Sequence, residues 1–314
     1  MYFDAHSDLW SDVTRRRLLG ETDVLRRHHL PRLRQGGVEG SIFVIWIEAP
    51  YRTDYAARTR QFMECIRAEA AECDEIRIVR SSEEMRRARQ DGKIYIFIGL
   101  EGLAAMGDDV GKLDWYYDFG ARHAMLTWNE VNALGAGAMS GSRDGLTEAG
   151  KETVKRLQAK GMLLDVSHLN EAGFWDAAKL AVRPFIASHS NCKALCDVPR
   201  NLTDEQLRAI RDAGGVVGLN AYRGFVDTDP EKQTVRRFAE HAAHMIDVMG
   251  IDHVGCGFDF VDFLQGEDQG TAVLGDCTGI SGLFSLFEEM GMSPQEREKI
   301  ARGNFLRVIA ETVD

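Results

Sequence analysis

Side chains able to bind a metal ion or to move a proton follow several short apolar runs of the sequence, where each run ends. They are His6, Asp8, Glu101, His168, His189 and Asp259. Histidine nitrogens and carboxylate oxygens suit Zn²⁺ and similar divalent cations. Alternate residues of a strand point to the same side, so an HxD pair can direct both side chains at one ion. A carboxylate can bridge two ions, and two further histidines can complete a second site. The set therefore predicts a centre for two divalent metal ions, with zinc as the expected metal.

The apolar runs that precede these side chains recur along the whole chain and alternate with amphipathic helical patterns. They are nearly continuous in apolar residues, which is typical of parallel strands covered on their outer face. We predict strands at 3–6, 41–48, 94–100, 124–128, 162–166, 185–188, 215–219 and 253–257. Strands alternating with helices in this number predict a closed (β/α)8 TIM barrel, with residues 1–314 forming a single domain.

The helical patterns between the runs have recognisable starts and ends. We predict helices at 54–75, 147–160, 203–213 and 234–249. Thr203, followed three residues later by Gln206, has the pattern of a capping box, and glycines follow two of the helices where left-handed C-caps are common. A doubly wound sheet is the alternative fold. However, neither GxGxxG nor GxxxxGK[ST] follows the first strand. In a barrel, the C-terminal strand ends that carry the candidate ligands form the active face.

The composition limits the class of protein. Of the 314 residues, 44% are hydrophobic and 28% are charged, which is ordinary for a globular protein. A net charge of -11 argues against nucleic acid or an anionic membrane surface as a partner. The six cysteines are too scattered for a disulfide framework, and neither a signal peptide nor an apolar stretch of membrane-spanning length is evident. We therefore predict a cytoplasmic protein with reduced cysteines and no membrane partner.

The other six of the nine histidines are assigned no role in the chemistry. His28 and His29 lie in a polar, arginine-rich stretch, where surface or gate residues are expected. His123 precedes its predicted strand and so is expected on the opposite face of the barrel, where residues usually serve stability.

Motifs spread over nearly the whole chain carry a resemblance to a known family. They are DAHSD at 4–8, IGLEG at 98–102, LLDVSH at 163–168, PFIASHSN at 184–191, PRNLTDEQL at 199–207, VGCGFDF at 254–260 and GNFLRV at 303–308. In these motifs the sequence resembles the membrane (renal-type) dipeptidase family, the M19 metallopeptidases of the amidohydrolase-like barrels, and particularly its shorter bacterial members. Together the motifs are far more specific than any one of them.

The resemblance implies a role for each candidate metal ligand. His6, Asp8 and Glu101 match the ligands of one zinc ion, with Glu101 bridging to a second. His168 and His189 match the other ligands of that second zinc. The implied activity is hydrolysis of small dipeptides, including those with a D-residue at the C-terminal position, by a water that the two ions activate. Glu101 is therefore expected to be catalytic as well as metal-binding.

The resemblance also implies contacts with the substrate. Arg200, in VPRN, matches the arginine that holds the C-terminal carboxylate of the dipeptide, and Asp259 matches the residue that transfers protons at the scissile bond. One segment departs from the family. LTWNEVN has Trp128 and Asn129 where a histidine that contacts the substrate is often found. Either side chain can donate a hydrogen bond, so we expect both Trp128 and Asn129 to bind the substrate.

Two other functions remain open. A different amide hydrolase, such as an N-acyl amino acid deacylase, would use the same metals and the same fold. A barrel that only binds a metal or a ligand is the second alternative, although the complete ligand set and Asp259 argue against it. The resemblance suggests a homodimer. The lipid anchor that animal members carry finds no support in this sequence.

Overall fold

Parallel strands curl into a barrel in the computed structural model, which describes residues 1–263 and 272–314. The strands are β1 (Tyr2–Ser7), β2 (Val38–Trp46), β3 (Ile76–Ile78), β4 (Ile94–Glu101), β5 (Ala121–Met125), β6 (Leu163–Asp165), β7 (Val217–Leu219) and β8 (Val254–Cys256). Pairing runs in the order β1, β2, β4, β5, β6, and β7 pairs separately with β8. Almost every residue of β1 and β4 is buried, because helices cover the outer face of the sheet.

Single bridges between residues complete the ring of strands. The parallel bridges join Asp165 to Ile186, Ala187 to Val217, and Ser7 to Phe260. The segment 185–188, predicted as a strand, thus fills the position between β6 and β7 with only two bridged residues. The bridge from Ser7 to Phe260 then joins β1 to the segment after β8. The predicted (β/α)8 barrel is confirmed.

Helices surround the barrel and cover one of its ends. They are α1 (Leu9–Leu18), α2 (Leu30–Gln35), α3 (Tyr55–Glu72), α4 (Ser82–Gln90), α5 (Leu113–Phe119), α6 (Glu148–Ala159), α7 (Glu171–Leu180), α8 (Asp204–Asp212), α9 (Arg223–Val226), α10 (Val235–Met249), α11 (Ile280–Glu289), α12 (Pro294–Glu298) and α13 (Asn304–Val313). The last helix, α13, contributes Phe305 and Val308 to an inner core that also contains Phe3 at the start of β1. Because α13 closes the N-terminal ends of the strands, the C-terminal ends are left for function. Among the helices of the described residues, none is long and apolar enough to cross a bilayer.

The helix starts and ends agree with the predictions at α8, α6 and α10. In α8 the Thr203 hydroxyl accepts from the Gln206 N–H at 3.2 Å, and the Gln206 side chain accepts from the Thr203 N–H at 2.9 Å. This confirms the predicted capping box. Gly161 and Gly250, after α6 and α10, have φ angles of 68° and 82°, which glycine adopts without strain.

The predicted helix 54–75 was too long. Helix α3 ends at Glu72, and the chain then forms β3, an extra strand that pairs with β4 outside the ring. A strand of three residues has no periodicity that a sequence pattern can reveal. The six cysteines are all free and buried.

Two of the histidines lie elsewhere than predicted. His123 is inside β5 rather than before it, and its buried Nε2 donates to Asp165 Oδ2 at 2.7 Å. His29 is buried as well, and its Nε2 lies 2.9 Å from Asp12 Oδ2. Each imidazole is paired with a buried carboxylate of another element, a partner that only the fold identifies. His28 remains partly exposed, beside Glu21.

Candidate metal centre and active site

The C-terminal ends of the strands bring all the candidate ligands together. His6 is in β1 and Glu101 is the last residue of β4. Asp8 follows β1 directly, where the chain enters α1. His168 follows β6, and His189 follows the bridged segment between β6 and β7. Sites far apart in the sequence therefore meet at one end of the barrel, as predicted.

His6 lies at the centre of one group of carboxylates. Its Nε2 is 3.6 Å from Asp8 Oδ2, 3.5 Å from Glu101 Oε2 and 3.7 Å from Asp259 Oδ1. The ligand atoms of His6, Asp8 and Asp259 all lie within 4.8 Å of one another. This spacing suits a cation that all of them could contact.

Glu101 also contacts the second group. Its Oε1 is 2.9 Å from His168 Nε2, while its Oε2 faces His6. His168 Nε2 is in turn 2.9 Å from His189 Nε2. The two oxygens of one carboxylate thus point to different groups of ligands, which is the arrangement expected of a bridging carboxylate.

Several buried polar atoms of the centre have no hydrogen-bond partner within the part of the chain that the structure describes. They are both ring nitrogens of His6, Asp8 Oδ1 and Glu101 Oε2. An unsatisfied buried polar group costs about 1–3 kcal/mol, and more when it is charged. A divalent cation is a partner that nitrogen and carboxylate ligands can share. The donor set therefore fits a metal ion.

The electrostatics of the centre also favour a cation. Burial raises the pKa of Glu101 to about 8, and the nearby charge of Asp8 adds to this rise. Burial alone would lower the pKa of His6, but the neighbouring carboxylates outweigh it and raise that pKa well above its usual value. Buried negative charges this close together repel each other unless a positive charge lies among them.

His168 and His189 lie in the opposite electrostatic environment. Burial lowers the pKa of both imidazoles well below the usual value, and positive charge on His6 and Arg200 lowers it further. Both rings are therefore neutral near pH 7, which is the form of histidine that binds metal ions.

Arg200 lies beside His168 and is almost completely buried, with 2% of its surface exposed. Its Nη1 donates to the backbone carbonyl of Ser167, and its Nη2 donates to that of His189 at 3.2 Å. Its Nε has no partner, and within residues 1–263 and 272–314 no carboxylate forms an ion pair with the guanidinium. Burial lowers the pKa of Arg200 to about 10, so it is still charged at neutral pH. A buried cation of this kind can receive an anionic group of a ligand.

Asp259 is held in a backbone conformation that few non-glycine residues adopt, with a φ of 59°. Its Oδ2 accepts a hydrogen bond from Asn220 Nδ2 at 3.1 Å, which leaves Oδ1 facing His6. Burial raises the pKa of Asp259. Strain of this kind clusters at functional sites, where surrounding contacts maintain it.

A cavity of about 370 Å³ connects these side chains with an apolar wall. It is lined by Asp8, Trp46, Glu101, Trp128, Asn129, Met139, His168, Arg200, Tyr222, Phe225, Asp259 and Val261. Trp128 and Asn129 line it from the loop after β5. Trp128 packs against Trp46, with 5.5 Å between ring centroids. The volume suits a small molecule with one charged end and apolar substituents.

Two residues that no sequence pattern singled out also contribute: Trp46 lines the cavity, and Asn220 contacts Asp259. Trp46 ends β2, and Asn220 comes directly after β7. The position directly after the predicted strand 215–219 was a signal for Asn220, whereas Trp46 lies inside the predicted strand 41–48. Tyr222 and Phe225, around α9, had no such signal, because α9 is a single turn of helix.

A family model for membrane dipeptidases, peptidase family M19, matches residues 1–314. The chain belongs to this family. The resemblance found in the motifs is confirmed, and membership makes the chain a peptide-bond hydrolase of a metallopeptidase family. Among the relatives of this M19 peptidase, an uncharacterized protein of Klebsiella pneumoniae from the pqqA 5' region is 37% identical over 243 residues. That alignment covers 74% of this chain and 88% of the relative.

Solved structures of M19 peptidases share the fold of this family member. A dipeptidase AC of family M19 is 27% identical with a TM-score of 0.89, covering 99% of this chain and 98% of its own. A metallopeptidase from Rhodobacter sphaeroides, liganded with a phosphinate mimic of the dipeptide L-Ala-D-Ala, is 28% identical with a TM-score of 0.85, covering 99% of both chains. This likeness confirms the predicted barrel fold.

Proposed function

We propose that this M19 peptidase is a dipeptidase that works with two divalent metal ions, which we expect to be zinc. His6, Asp8 and Glu101 would hold one ion, and Glu101, His168 and His189 the other. The observation that carries the proposal is the position of Glu101, whose two oxygens face the two groups of ligands at 3.5 Å from His6 and 2.9 Å from His168. When bound, such a pair of ions polarises the scissile carbonyl and lowers the pKa of the attacking water.

Arg200 would bind the C-terminal carboxylate of the substrate. Its guanidinium lines the same cavity as Asp8, Glu101 and His168, and its buried Nε has no partner among the described residues. A planar guanidinium matches a carboxylate and can hold it by two hydrogen bonds. Because this group lies beside His168, only a short peptide would place its scissile bond at the metal centre. Arg200 would therefore select dipeptides by their free C-terminus.

Asp259 would transfer protons. Its carboxylate lies next to the ligand cluster and lines the cavity, and burial raises its pKa above the usual value of an aspartate. It would take the proton of the attacking water and give it to the leaving amine. Asn220 holds the other oxygen of this carboxylate and so fixes its direction.

The apolar side of the cavity would accept the substrate's side chains. Trp46 and Trp128 form one part of this side. Phe225 forms another part, and its ring centroid lies 5.4 Å from the Arg200 guanidinium. The residue whose carboxylate binds Arg200 would therefore lie near Phe225. We include D-residues at this position, because the mimic bound by the Rhodobacter sphaeroides metallopeptidase is that of L-Ala-D-Ala.

Three matched substrates test this proposal on the wild-type protein loaded with zinc: L-Ala-D-Ala, its C-terminal amide and its N-acetyl form. We expect hydrolysis of the free dipeptide, and a fall in kcat/KM for the amide of about 30-fold or more, because loss of a buried charged hydrogen-bond pair costs about 2–5 kcal/mol. The Arg200→Lys variant, which keeps the charge but not the planar fork, should lose most of this discrimination. Equal rates for the acid and the amide would contradict the role of Arg200. Faster hydrolysis of the N-acetyl form would support a deacylase instead.

We further propose that residues 1–314 act as one domain in a cytoplasmic homodimer. Light scattering of the purified protein tests the dimer, and a mass of about one chain would contradict it.

A further inference from the structure

We propose that Asn129 is a positioning residue of the metal centre, which holds His168 with its Nε2 free of a proton. The inference rests on the proposed function, because it concerns a ligand of the second metal ion. This role differs from the substrate contact that the sequence predicts for Asn129.

The contact between the two side chains carries this proposal. Asn129 Oδ1 lies 3.0 Å from His168 Nδ1. An amide oxygen can only accept, so the ring proton of a neutral His168 belongs on Nδ1. The lone pair of the ring is then on Nε2, which lies 2.9 Å from Glu101 Oε1 and 2.9 Å from His189 Nε2. Asn129 thus selects the tautomer whose free nitrogen faces the ligand cluster.

Backbone contacts of the loop around Asn129 stabilise this arrangement. Ala138 N–H donates to the His168 carbonyl at 2.8 Å, and Gly137 N–H donates to the Glu130 carbonyl at 2.9 Å. A Cβ at Gly137 would lie 2.0 Å from the Trp128 carbonyl oxygen, so only glycine allows this close approach. The backbone on both sides of Asn129 is therefore tied to the segment that carries His168.

The Nδ1 atom of His189 also has a hydrogen-bond partner. Its Nδ1 lies 2.8 Å from the hydroxyl of Ser188, a fully buried residue. A hydroxyl can donate or accept, so Ser188 fixes the direction of the ring without choosing its tautomer. His6 Nδ1 has no hydrogen-bond partner among residues 1–263 and 272–314. Of these three histidines, His168 alone has an outer partner that determines where its proton lies.

Metal affinity tests the role of Asn129 separately from activity. Asn129→Leu removes the acceptor at nearly the same volume, whereas Asn129→Asp keeps an acceptor oxygen. Competition with a chromophoric chelator would give the dissociation constants for both zinc equivalents. We expect Asn129→Leu to weaken one equivalent by about 10–100-fold and to leave the other unchanged, as is usual when an outer partner of a ligand histidine is removed. Asn129→Asp should bind both ions as the wild type does.

Val131→Ala serves as the control, because this exposed residue is in the same loop and should leave both affinities unchanged. Equal melting temperatures of the metal-free proteins would show that Asn129→Leu is folded. If Asn129→Leu binds two zinc ions as tightly as the wild type but has a higher KM, Asn129 contacts the substrate only and the inference is wrong. If the wild type itself does not bind two ions, the proposed two-metal centre is wrong, and this inference is wrong as well.

Discussion

Asp259 combines a strained backbone, a raised pKa and a place beside the ligand cluster. Replacing it by asparagine keeps its size and removes its ability to accept a proton. We expect Asp259→Asn to lower kcat by about 10²–10⁴-fold, the usual contribution of a general acid or base. The zinc content, measured by atomic spectroscopy, should stay the same, because the proposed ligands are other residues.

A matched substitution, Asp247→Asn, makes the same chemical change at an exposed site on α10 and should leave kcat unchanged. Normal turnover by Asp259→Asn would show that proton transfer does not depend on this carboxylate. Loss of zinc in the same variant would make Asp259 a metal ligand instead.

At the scale of single residues, the sequence allowed the ligands to be found because histidine and carboxylate residues are unusual directly after apolar strands. Their partners could not be found in this way. Asn220 and Ser188 are residue types common in loops and helix caps, and only the fold brings them to Asp259 and His189. The contact of Asn129 with His168 joins two different loops, so the sequence pointed to the right residue but to another role.

Helix α8 is the first helix after Arg200 in the sequence. The Thr203 hydroxyl caps this helix, and Gln206 completes the capping box. Thr203→Ala removes an acceptor for the Gln206 N–H, which should lower the free energy of unfolding by about 1 kcal/mol. Thr203→Ser keeps the hydroxyl and should cost much less. Urea unfolding of both variants measures the difference, and equal stability of the two would show that the cap contributes nothing.

Among the elements, the strands with long apolar runs were predicted best. The third predicted strand, 94–100, differs from β4 by one residue, since β4 is buried along its whole length. The sixth predicted strand, 185–188, has only two bridged residues. It nevertheless fills one position in the ring of strands. Short elements such as β3 and α9 depend on pairing and packing with distant residues, which a local pattern does not contain.

The charges of the whole metal centre should make the metal-free protein depend on pH in a particular direction. Burial raises the pKa of Glu101 from 4.5 to about 8 and that of Asp4 from 3.8 to about 7. The pKa of His6 is raised as well. Between the usual pKa of each group and its raised pKa in the folded chain, the folded chain binds more protons than the unfolded chain. The free energy of unfolding therefore falls as the pH rises through this range.

His168 and His189 change the free energy of unfolding with pH in the opposite direction, because their pKa values in the folded chain are lowered from 6.5. At about pH 6.5 the unfolded histidines are still half protonated, and they lose the remaining protons as the pH rises, so this opposing contribution fades by about pH 7.5. We therefore expect the free energy of unfolding of the metal-free protein to decrease from about pH 6.5 to about pH 8. Zinc should reverse this trend, because it binds the deprotonated ligands of the folded chain.

Urea unfolding at both pH values, with a chelator and with zinc, measures this effect. Glu101→Gln removes the carboxylate whose pKa is raised to about 8 and should reduce the slope of the metal-free protein. A metal-free protein that becomes more stable over this range would contradict the electrostatic description of the centre.

At the scale of the whole molecule, the barrel and its family could be predicted because strand and helix patterns alternate along the chain and because motifs recur at the strand ends. The closure of the ring by single bridges and the covering of its N-terminal end by α13 depend on three-dimensional packing. The same holds for the cavity, whose apolar wall is formed by residues of several loops.

Hydrolysis of L-Ala-D-Ala by metal-stripped protein, titrated with zinc, measures whether activity depends on two metal ions. We predict no activity without metal and a rise to a plateau near about two zinc ions per chain, as a two-metal hydrolase requires. Full activity in the metal-free protein would contradict the metal centre. Two zinc ions bound without cleavage of any dipeptide would contradict the dipeptidase function while leaving the metal site in place.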